Sequence, residues 1–326
     1  MKPSRVNEKL KTCIRAKRPA FIWGPPGVGK SDTVKQVAEE LKYKLIDVRA
    51  VLLDPVDLRG LPTIDNGQAR WCPPSFLPKG KGKRIIFLDE LNAAPPLVQA
   101  ACYQLILDRK IGEYTLPDDV VLVAAGNRET DRAVTSRMPS PLANRFIHLD
   151  FDVDLDDWIS WGLNNGVRTE ILAFQRFRPE TLYNFDPKKN DKAFATPRSI
   201  TFLSELMDAD NGNIDFDLAK GTVGEGYAAE FIGFLKIYKS LPDPNLVLMA
   251  PNKAVVPDDP ATLYAICGAV AQKASEQNMK NVVTYANRLP DEFSVLLIRD
   301  CVNRDEKLVN TRAFIEWTSK HSDILI

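Results

Sequence analysis

Eight consecutive residues near the amino terminus have the types and spacing of a loop that binds phosphate groups. They fit the pattern G-x-x-x-x-G-K-[ST] without a mismatch, and they lie between an apolar run and a helical pattern. Glycines let backbone N–H groups turn toward phosphate oxygens, the lysine bridges β- and γ-phosphates, and the hydroxyl is a ligand for Mg²⁺. The alternative is a glycine- and proline-rich turn without a ligand. The residues are Gly24, Pro25, Pro26, Gly27, Val28, Gly29, Lys30 and Ser31.

Two carboxylates follow a second apolar run. Asp89 and Glu90 come directly after residues 85–88, which predict a buried strand. At the carboxyl edge of an open α/β sheet, where ligands bind, Asp89 would hold Mg²⁺ and Glu90 would polarise an attacking water. Taken alone, such a pair is more typical of a solvated strand end. The phosphate-loop pattern upstream favours the metal and water roles.

A polar side chain also ends a third apolar run. Residues 121–125 predict a strand, and Asn127 follows it after Gly126. An amide at this position can hydrogen-bond both a water and a γ-phosphate. A turn-forming asparagine is the alternative.

The elements that would position these residues alternate between strand and helix patterns. Strands are predicted at 19–23, 44–48, 84–88, 120–125 and 146–149, and an amphipathic helix at 31–41. This pattern predicts an α/β fold, with a five-stranded, mainly parallel sheet in a P-loop core and a smaller, all-helical lid domain.

A long connection interrupts the core between the second and third predicted strands. Residues 54–83 contain Asn66-Gly67 between strand-like flanks, which predicts a two-residue hairpin. The lysine-rich run at 78–84 is interpreted as a solvated lead into the next strand, with contact to phosphate or DNA as the alternative.

The chain is expected to contain two domains and a connection. Residues 1–150 are predicted to form the core, 151–195 a linker region punctuated by prolines, and 196–326 a helical lid with a helical extension. Helical spacing recurs at 199–207, 228–239, 261–275 and 292–302.

Composition excludes several other classes of protein. Lys and Arg total 43, as do Asp and Glu, so no net charge attracts nucleic acid. The five cysteines are scattered and only two histidines are present, which disfavours a disulfide framework or a zinc site. Neither a signal peptide nor an apolar run long enough to span a membrane is evident, so a cytoplasmic protein is expected.

Five motifs in order resemble the MoxR branch of AAA+ ATPases, within the dynein-related group. The resemblance covers roughly residues 15–205, including the insert before the third strand, and its motifs lie at 24–31, 87–93, 126–127, 142–146 and 195–198. Ala93, Asn144 and Arg128 depart from the family pattern. These departures bear on the sub-branch and on subunit contacts rather than on the phosphate chemistry.

The resemblance implies roles for three further residues. Asn127 would be the sensor-1 residue, Arg145 the arginine finger offered to a neighbour's ATP, and Arg198 the sensor-2 arginine of the lid. Guanidinium groups match phosphate oxygens and neutralise their charge. Arg137 is a rival finger. The alternatives are a salt-bridged helix end for Arg145 and an ordinary first helical turn for Arg198.

The family resemblance implies a homo-oligomeric ring, a hexamer, with ATP and Mg²⁺ at each subunit interface. Its work would be to remodel or activate a client protein in the manner of a chaperone, and a separate protein with a von Willebrand factor A domain is a candidate partner. The alternative is a nucleic-acid-associated motor or loader in replication, restriction or phage biology. A scaffold that binds ATP without turnover is disfavoured by intact Lys30, Asp89 and Glu90.

Overall fold

The computed structural model describes residues 1–131, 138–189, 191–239, 241 and 243–321. It divides the chain into two compact units, Met1–Asp154 and Leu155–Ile326. In the described residues, no helix combines the length and apolar character that crossing a membrane requires.

The first unit is built on a parallel sheet. Its strands lie in the order β2-β5-β8-β1-β9, and every neighbouring pair is parallel. The predicted five-stranded α/β core is therefore confirmed. The strands of the unit are β1 (Ala20–Trp23), β2 (Lys44–Arg49), β3 (Leu61–Asp65), β4 (Gln68–Cys72), β5 (Arg84–Asp89), β6 (Lys110–Ile111), β7 (Tyr114–Thr115), β8 (Val120–Gly126) and β9 (Ile147–Asp150).

Helices pack on this sheet and make up the second unit. In the first unit they are α1 (Pro3–Arg15), α2 (Lys30–Glu40), α3 (Pro55–Arg59), α4 (Pro96–Asp108) and α5 (Ser140–Ala143). In the second they are α6 (Leu155–Asn164), α7 (Thr169–Phe177), α8 (Pro197–Ala209), α9 (Phe216–Val223), α10 (Glu225–Lys239), α11 (Pro244–Met249), α12 (Pro260–Gln272), α13 (Met279–Ala286), α14 (Asp291–Arg304) and α15 (Arg312–Lys320).

The central strands are apolar because both faces of the sheet are covered. All residues of β8 are buried, as are the four inner residues of β5. Continuous burial is typical of parallel strands, whose crossover connections place helices on both faces. Since the strands run the same way, the carboxyl ends of β1, β5 and β8 lie at one edge, where the residues with candidate chemistry follow them.

The connection between β2 and β5 contains a hairpin at the predicted position. β3 and β4 pair antiparallel around Asn66 and Gly67, both with positive φ (50° and 75°), as a type I′ turn requires. Gly60 precedes β3 with φ +83°, and a Cβ there would lie 1.8 Å from the Cys72 carbonyl oxygen. Only glycine fits at the base of this hairpin. All residues of both strands are exposed.

The segment predicted as a linker, 151–195, differs from that expectation. It contains α6 and α7, and from Leu155 onward it belongs to the second unit. A Cβ on Gly268 of α12 would lie 2.9 Å from Thr169 Cγ2 of α7, so these two helices pack closely. Pro179 and Pro187, which suggested a linker, lie in the connection between α7 and α8, and the apolar face of α7 is part of a packed interior.

Candidate functional site

The glycine-rich loop connects β1 directly to α2. Gly27 and Gly29 have φ values of 77° and 97°, in the left-handed region that favours glycine. Gly24 is confined in a different way, because a Cβ there would lie 2.9 Å from the Phe151 carbonyl oxygen. The loop thereby brings backbone N–H groups and the amino end of α2 together, an arrangement suited to anions.

Lys30, the first residue of α2, turns back over this loop. Its ammonium group donates to the carbonyl oxygens of Gly24 and Pro25, at 2.7 and 2.9 Å, and to Asn127 Oδ1 at 2.9 Å. The side chain is buried, with 9% of its surface exposed. The sequence-predicted lysine and the asparagine that ends β8 are therefore in direct contact.

Ser31 and Asp89 meet at the same edge. The Ser31 hydroxyl donates to Asp89 Oδ2 at 2.9 Å, and the Glu90 N–H donates to Asp89 Oδ1 at 3.0 Å. A hydroxyl beside one carboxylate fits Mg²⁺, which prefers oxygen ligands and takes few of them from protein when phosphates supply others. No cluster of three or more His, Cys, Asp or Glu that could hold a metal occurs in the described residues.

Glu90 follows β5 in an unusual backbone conformation. Its φ is 55° and its ψ 35°, in the left-handed region that is uncommon for residues other than glycine. The residue is partly buried, and the described part of the chain offers its carboxylate no hydrogen bond or ion pair. The strand β5 therefore ends at Asp89, and the chain turns at Glu90, the residue expected to polarise water.

Asn92 and Gly126 complete the site, and sequence reasoning assigned neither a role. Asn92 Nδ2 donates to the Asn127 carbonyl oxygen at 2.7 Å, and the residue is 2% exposed. Its Oδ1 is buried without a hydrogen-bond partner among the described residues. A Cβ on Gly126 would lie 2.0 Å from that oxygen, so Gly126 leaves room for Asn92. The signal in the sequence was the position of Asn92, two residues after Glu90.

A further carboxylate faces Asp89 from the neighbouring strand. Asp47 lies on β2, where Arg49 pairs in register with Asp89. Desolvation raises the pKa of Asp47, the negative charge of Asp89 raises it further, and Arg49 partly opposes both effects. Sequence analysis missed Asp47, because only the pairing of β2 with β5 brings it near the site.

Arg128, which departs from the family pattern, is engaged within the first unit. Its guanidinium donates to Asp152 Oδ1 at 2.6 Å and to the Phe151 carbonyl oxygen at 3.0 Å. The backbone N–H of Arg128 donates to Asp131 Oδ2 at 2.9 Å. These contacts hold the segment after β8 against the segment after β9.

The three arginines that are candidates for contact with phosphate lie in different parts of the chain. Arg145 lies in the turn after α5 and Arg198 in the first turn of α8, in the second unit. Both are exposed, and neither guanidinium forms a hydrogen bond or ion pair with the residues that the structure describes. Arg137, the rival finger, lies outside the described residues.

Comparison with known proteins gives a family for the first unit. Residues 19–146 match the model of the AAA domain, dynein-related subfamily. The chain is 25% identical over 150 residues to Protein MoxR of Methylorubrum extorquens, covering 44% of the chain and 43% of that protein. It is 29% identical over 177 residues to midasin of Giardia intestinalis, covering 51% of the chain and 4% of midasin. The chain thus spans well under two thirds of these relatives.

Solved structures match this chain at lower sequence identity than these relatives do. The RuvB Holliday junction branch migration motor of Thermotoga maritima aligns with a TM-score of 0.40 at 17% identity, over 82% of this chain and 81% of RuvB. NtrX of Brucella abortus in complex with ATP aligns with a TM-score of 0.44 at 13% identity, over 98% of this chain and 66% of NtrX. The family resemblance rests on the sequence matches and the loop geometry: residues 19–146 match the model of the dynein-related subfamily of AAA domains, and the chain resembles AAA+ proteins of the MoxR type.

Proposed function

We propose that this chain is an AAA+ ATPase that hydrolyses ATP at subunit interfaces and uses the energy to remodel or activate a client protein. The observation that carries the proposal is the pair of contacts Lys30–Asn127 and Ser31–Asp89, at 2.9 Å each. They join the glycine-rich loop to the ends of β5 and β8. The residues proposed to bind the triphosphate, the metal and the attacking water therefore lie close together at one edge of the sheet, which supports the proposal.

Each residue of the site has a distinct task in this mechanism. Phosphate oxygens would compete with Asn127 Oδ1 and two carbonyl oxygens for the ammonium of Lys30. Ser31 and Asp89 would hold Mg²⁺, which when bound neutralises charge on the β- and γ-phosphates. Glu90 would accept a proton from the attacking water, and Asn127, released from Lys30, would orient that water by hydrogen bonding.

The two exposed arginines support assembly into a ring. A guanidinium without an internal partner is available to a phosphate, and an arginine finger supplied in trans greatly accelerates phosphoryl transfer. We assign this role to Arg145 and the sensor-2 role to Arg198. By family resemblance the assembly would be a cytoplasmic hexamer, in which no subunit completes its own site.

The insert hairpin supports a protein as the client. Leu61, Ile64 and Trp71 are 65%, 85% and 41% exposed. Ile64 and Trp71 share one face of the two-stranded hairpin and Leu61 lies on the other. Exposed apolar side chains of this kind suit contact with another polypeptide. A separate protein with a von Willebrand factor A domain is one partner of this kind.

Phosphate release by the purified protein tests the proposed chemistry. With Mg²⁺ and ATP we expect turnover that Glu90→Gln abolishes while nucleotide binding is kept, because the amide cannot accept the water proton. If Glu90→Gln hydrolyses ATP as fast as the wild type, the proposal is contradicted.

Mixed assemblies test the role of Arg145 in trans. Arg145→Ala should lower kcat and spare ATP affinity, since the finger acts in the transition state. Combining Arg145→Ala subunits with Glu90→Gln subunits should restore part of the activity at some ratio. Failure at every ratio contradicts action in trans.

Capture with a stalled protein separates protein clients from nucleic acid. Glu90→Gln loaded with ATP should retain its client, and Ile64→Asp in the same background should release it without loss of melting temperature, because Ile64 is exposed. ATPase activity stimulated by nucleic acid, with a steep dependence on salt, would instead favour the motor or loader.

A further inference from the structure

Both ring nitrogens of His148 are engaged, and together they fix its tautomer. Trp23 Nε1–H donates to His148 Nδ1 at 2.8 Å, and His148 Nε2 lies 2.8 Å from the Ala143 carbonyl oxygen. An indole N–H only donates, so Nδ1 carries no proton. A carbonyl oxygen only accepts, so Nε2 carries the hydrogen. In this arrangement His148 accepts a hydrogen bond at Nδ1 and donates one at Nε2.

The two partners of His148 belong to different parts of the candidate site. Trp23 is the last residue of β1 and directly precedes Gly24 of the phosphate loop. Ala143 ends α5, and its carbonyl oxygen also accepts from the Phe146 N–H at 3.1 Å. That backbone bond closes a turn whose two central residues are Asn144 and Arg145. The imidazole of His148 thus adds a second donor to the carbonyl that closes the Arg145 turn.

Aromatic packing holds the imidazole in this orientation. The planes of the Trp23 and His148 rings are 22° apart and their centroids 6.0 Å apart, so the two rings are nearly parallel and meet at the edges that share the hydrogen bond. Fully buried Phe21 contacts Trp23 at 4.1 Å between centroids, and meets Phe146 edge-on at 5.4 Å and 78°. Trp23 and Phe146, which lie near the imidazole, are therefore both packed against the buried ring of Phe21.

We propose that His148 is a positioning residue for the guanidinium of Arg145. The side chain of Arg145 is exposed and has no partner in the described residues, so only its backbone can preset its direction. His148 fixes that backbone through Ala143 and ties it, through Trp23, to the strand that leads into the chain's own phosphate loop. This inference rests on the proposed role of Arg145 in hydrolysis.

Three substitutions separate the two hydrogen bonds. In His148→Gln the amide nitrogen takes the place of Nε2 and keeps the donor to Ala143. In His148→Asn the amide oxygen takes the place of Nδ1 and keeps only the acceptor for Trp23. His148→Leu keeps neither. We expect the Asn and Leu variants to lower kcat about three- to tenfold with unchanged ATP affinity, and the Gln variant to retain most of the wild-type kcat.

A double-substitution experiment distinguishes positioning from a general structural effect. In an Arg145→Ala background, His148→Asn should cause no further loss of kcat, because the group it positions is gone. Losses that multiply would overturn the proposal, as would full turnover in the Asn and Leu variants. Nitrogen-15 NMR of the full chain should show the Nε2–H tautomer, and the Nδ1–H tautomer would also overturn it.

The outcome separates this inference from the proposed function. If Glu90-dependent hydrolysis occurs but Arg145→Ala has no effect, the ATPase assignment stands and the positioning role falls. If no Glu90-dependent hydrolysis occurs, both are overturned.

Discussion

At the scale of single residues, the candidate site is a chain of polar contacts with one buried, unsatisfied acceptor. Asn92 holds the backbone of Asn127, and Asn127 holds Lys30 through its side chain. Burying a polar atom without a hydrogen bond is unfavourable, yet Asn92 Oδ1 is buried in this way. The same side chain still donates from Nδ2 to the Asn127 carbonyl oxygen, and Gly126 leaves the room that this position needs.

Gly126→Ala should disturb this chain of contacts. The added Cβ would lie 2.0 Å from Asn92 Oδ1, so the Asn92 side chain must shift, which disturbs the hydrogen bond from its Nδ2 to the Asn127 carbonyl oxygen. We expect a loss of about 1–3 kcal/mol in the free energy of unfolding, measured in urea, and a lower kcat.

Gly221→Ala is the matched control for that substitution. Gly221 lies inside α9, and nothing lies within 4 Å of a Cβ built there. Alanine should therefore stabilise this helix by up to about 1 kcal/mol and leave kcat unchanged. Wild-type stability and turnover in Gly126→Ala would show that Asn92 does not need its present position.

Asp47 predicts a pH dependence with a defined sign. Its folded-state pKa is raised, first by desolvation and then by Asp89, so ionisation of Asp47 disfavours the folded state. The penalty is present above the folded-state pKa and disappears as pH falls below the unfolded-state value. Because Asp47 is exposed and solvent screens its charge, the effect should be small: without nucleotide or Mg²⁺, Asp47→Asn should melt at a slightly higher temperature than wild type near neutral pH.

That difference in melting temperature should shrink on acidification, because wild-type Asp47 becomes neutral as well. Calorimetric scans of both proteins across the acidic range measure it. A difference that grows at low pH would mean that Asp47 is stabilised in its charged form.

At the scale of elements, three of the residues proposed to act on the phosphates or their metal lie where helices begin. Lys30 and Ser31 open α2 after a glycine loop, and Arg198 is in the first turn of α8. The start of α8 is fixed by a capping box: the Ser199 N–H donates to Thr196 Oγ1 at 3.1 Å, and the Thr196 N–H donates to Ser199 Oγ at 2.9 Å. The direction of Arg198 therefore depends on a local hydrogen-bonded cap.

Thr196→Ala should fray the first turn of α8. Thr196 is 4% exposed, so the N–H of Ser199 would lose its acceptor in a buried setting. We expect a loss of about 1–2 kcal/mol in the free energy of unfolding, while Thr196→Ser, which keeps the hydroxyl, retains most of it. Substituting the exposed cap Asp215 of α9 should be milder, and equal losses at both caps would show that burial of Thr196 is irrelevant.

At the scale of the whole molecule, the sequence predicted those elements that depend only on residues close together in the chain. The five strands, the glycine loop, the start of α2 and the Asn66-Gly67 hairpin each follow from periodicity or turn chemistry within a few residues. The roles of Asn92, Asp47 and His148 did not, because they depend on strand register and on contacts between residues distant in sequence. The same holds for residues 155–195, whose packing against α12 no local signal reveals.

The five cysteines provide a test of the fold as a whole. All are free thiols; Cys72 is exposed, whereas Cys13, Cys102, Cys267 and Cys301 are buried in the two units. Burial raises the pKa of Cys102 and Cys301 to about 12, so thiolate is scarce there at neutral pH, and the thiolate is the reactive form.

A maleimide should therefore label the native protein at a single position, Cys72, and the denatured protein at five, as counted by mass spectrometry. Cys72→Ser should leave the native protein unlabelled on the same timescale. Rapid labelling of Cys102 in the native protein would contradict the packing of the first unit. Rapid labelling of Cys267 or Cys301 would contradict the packing of the second unit. Because Cys72 ends the insert hairpin, its protection on addition of a client would also show that the client covers the insert.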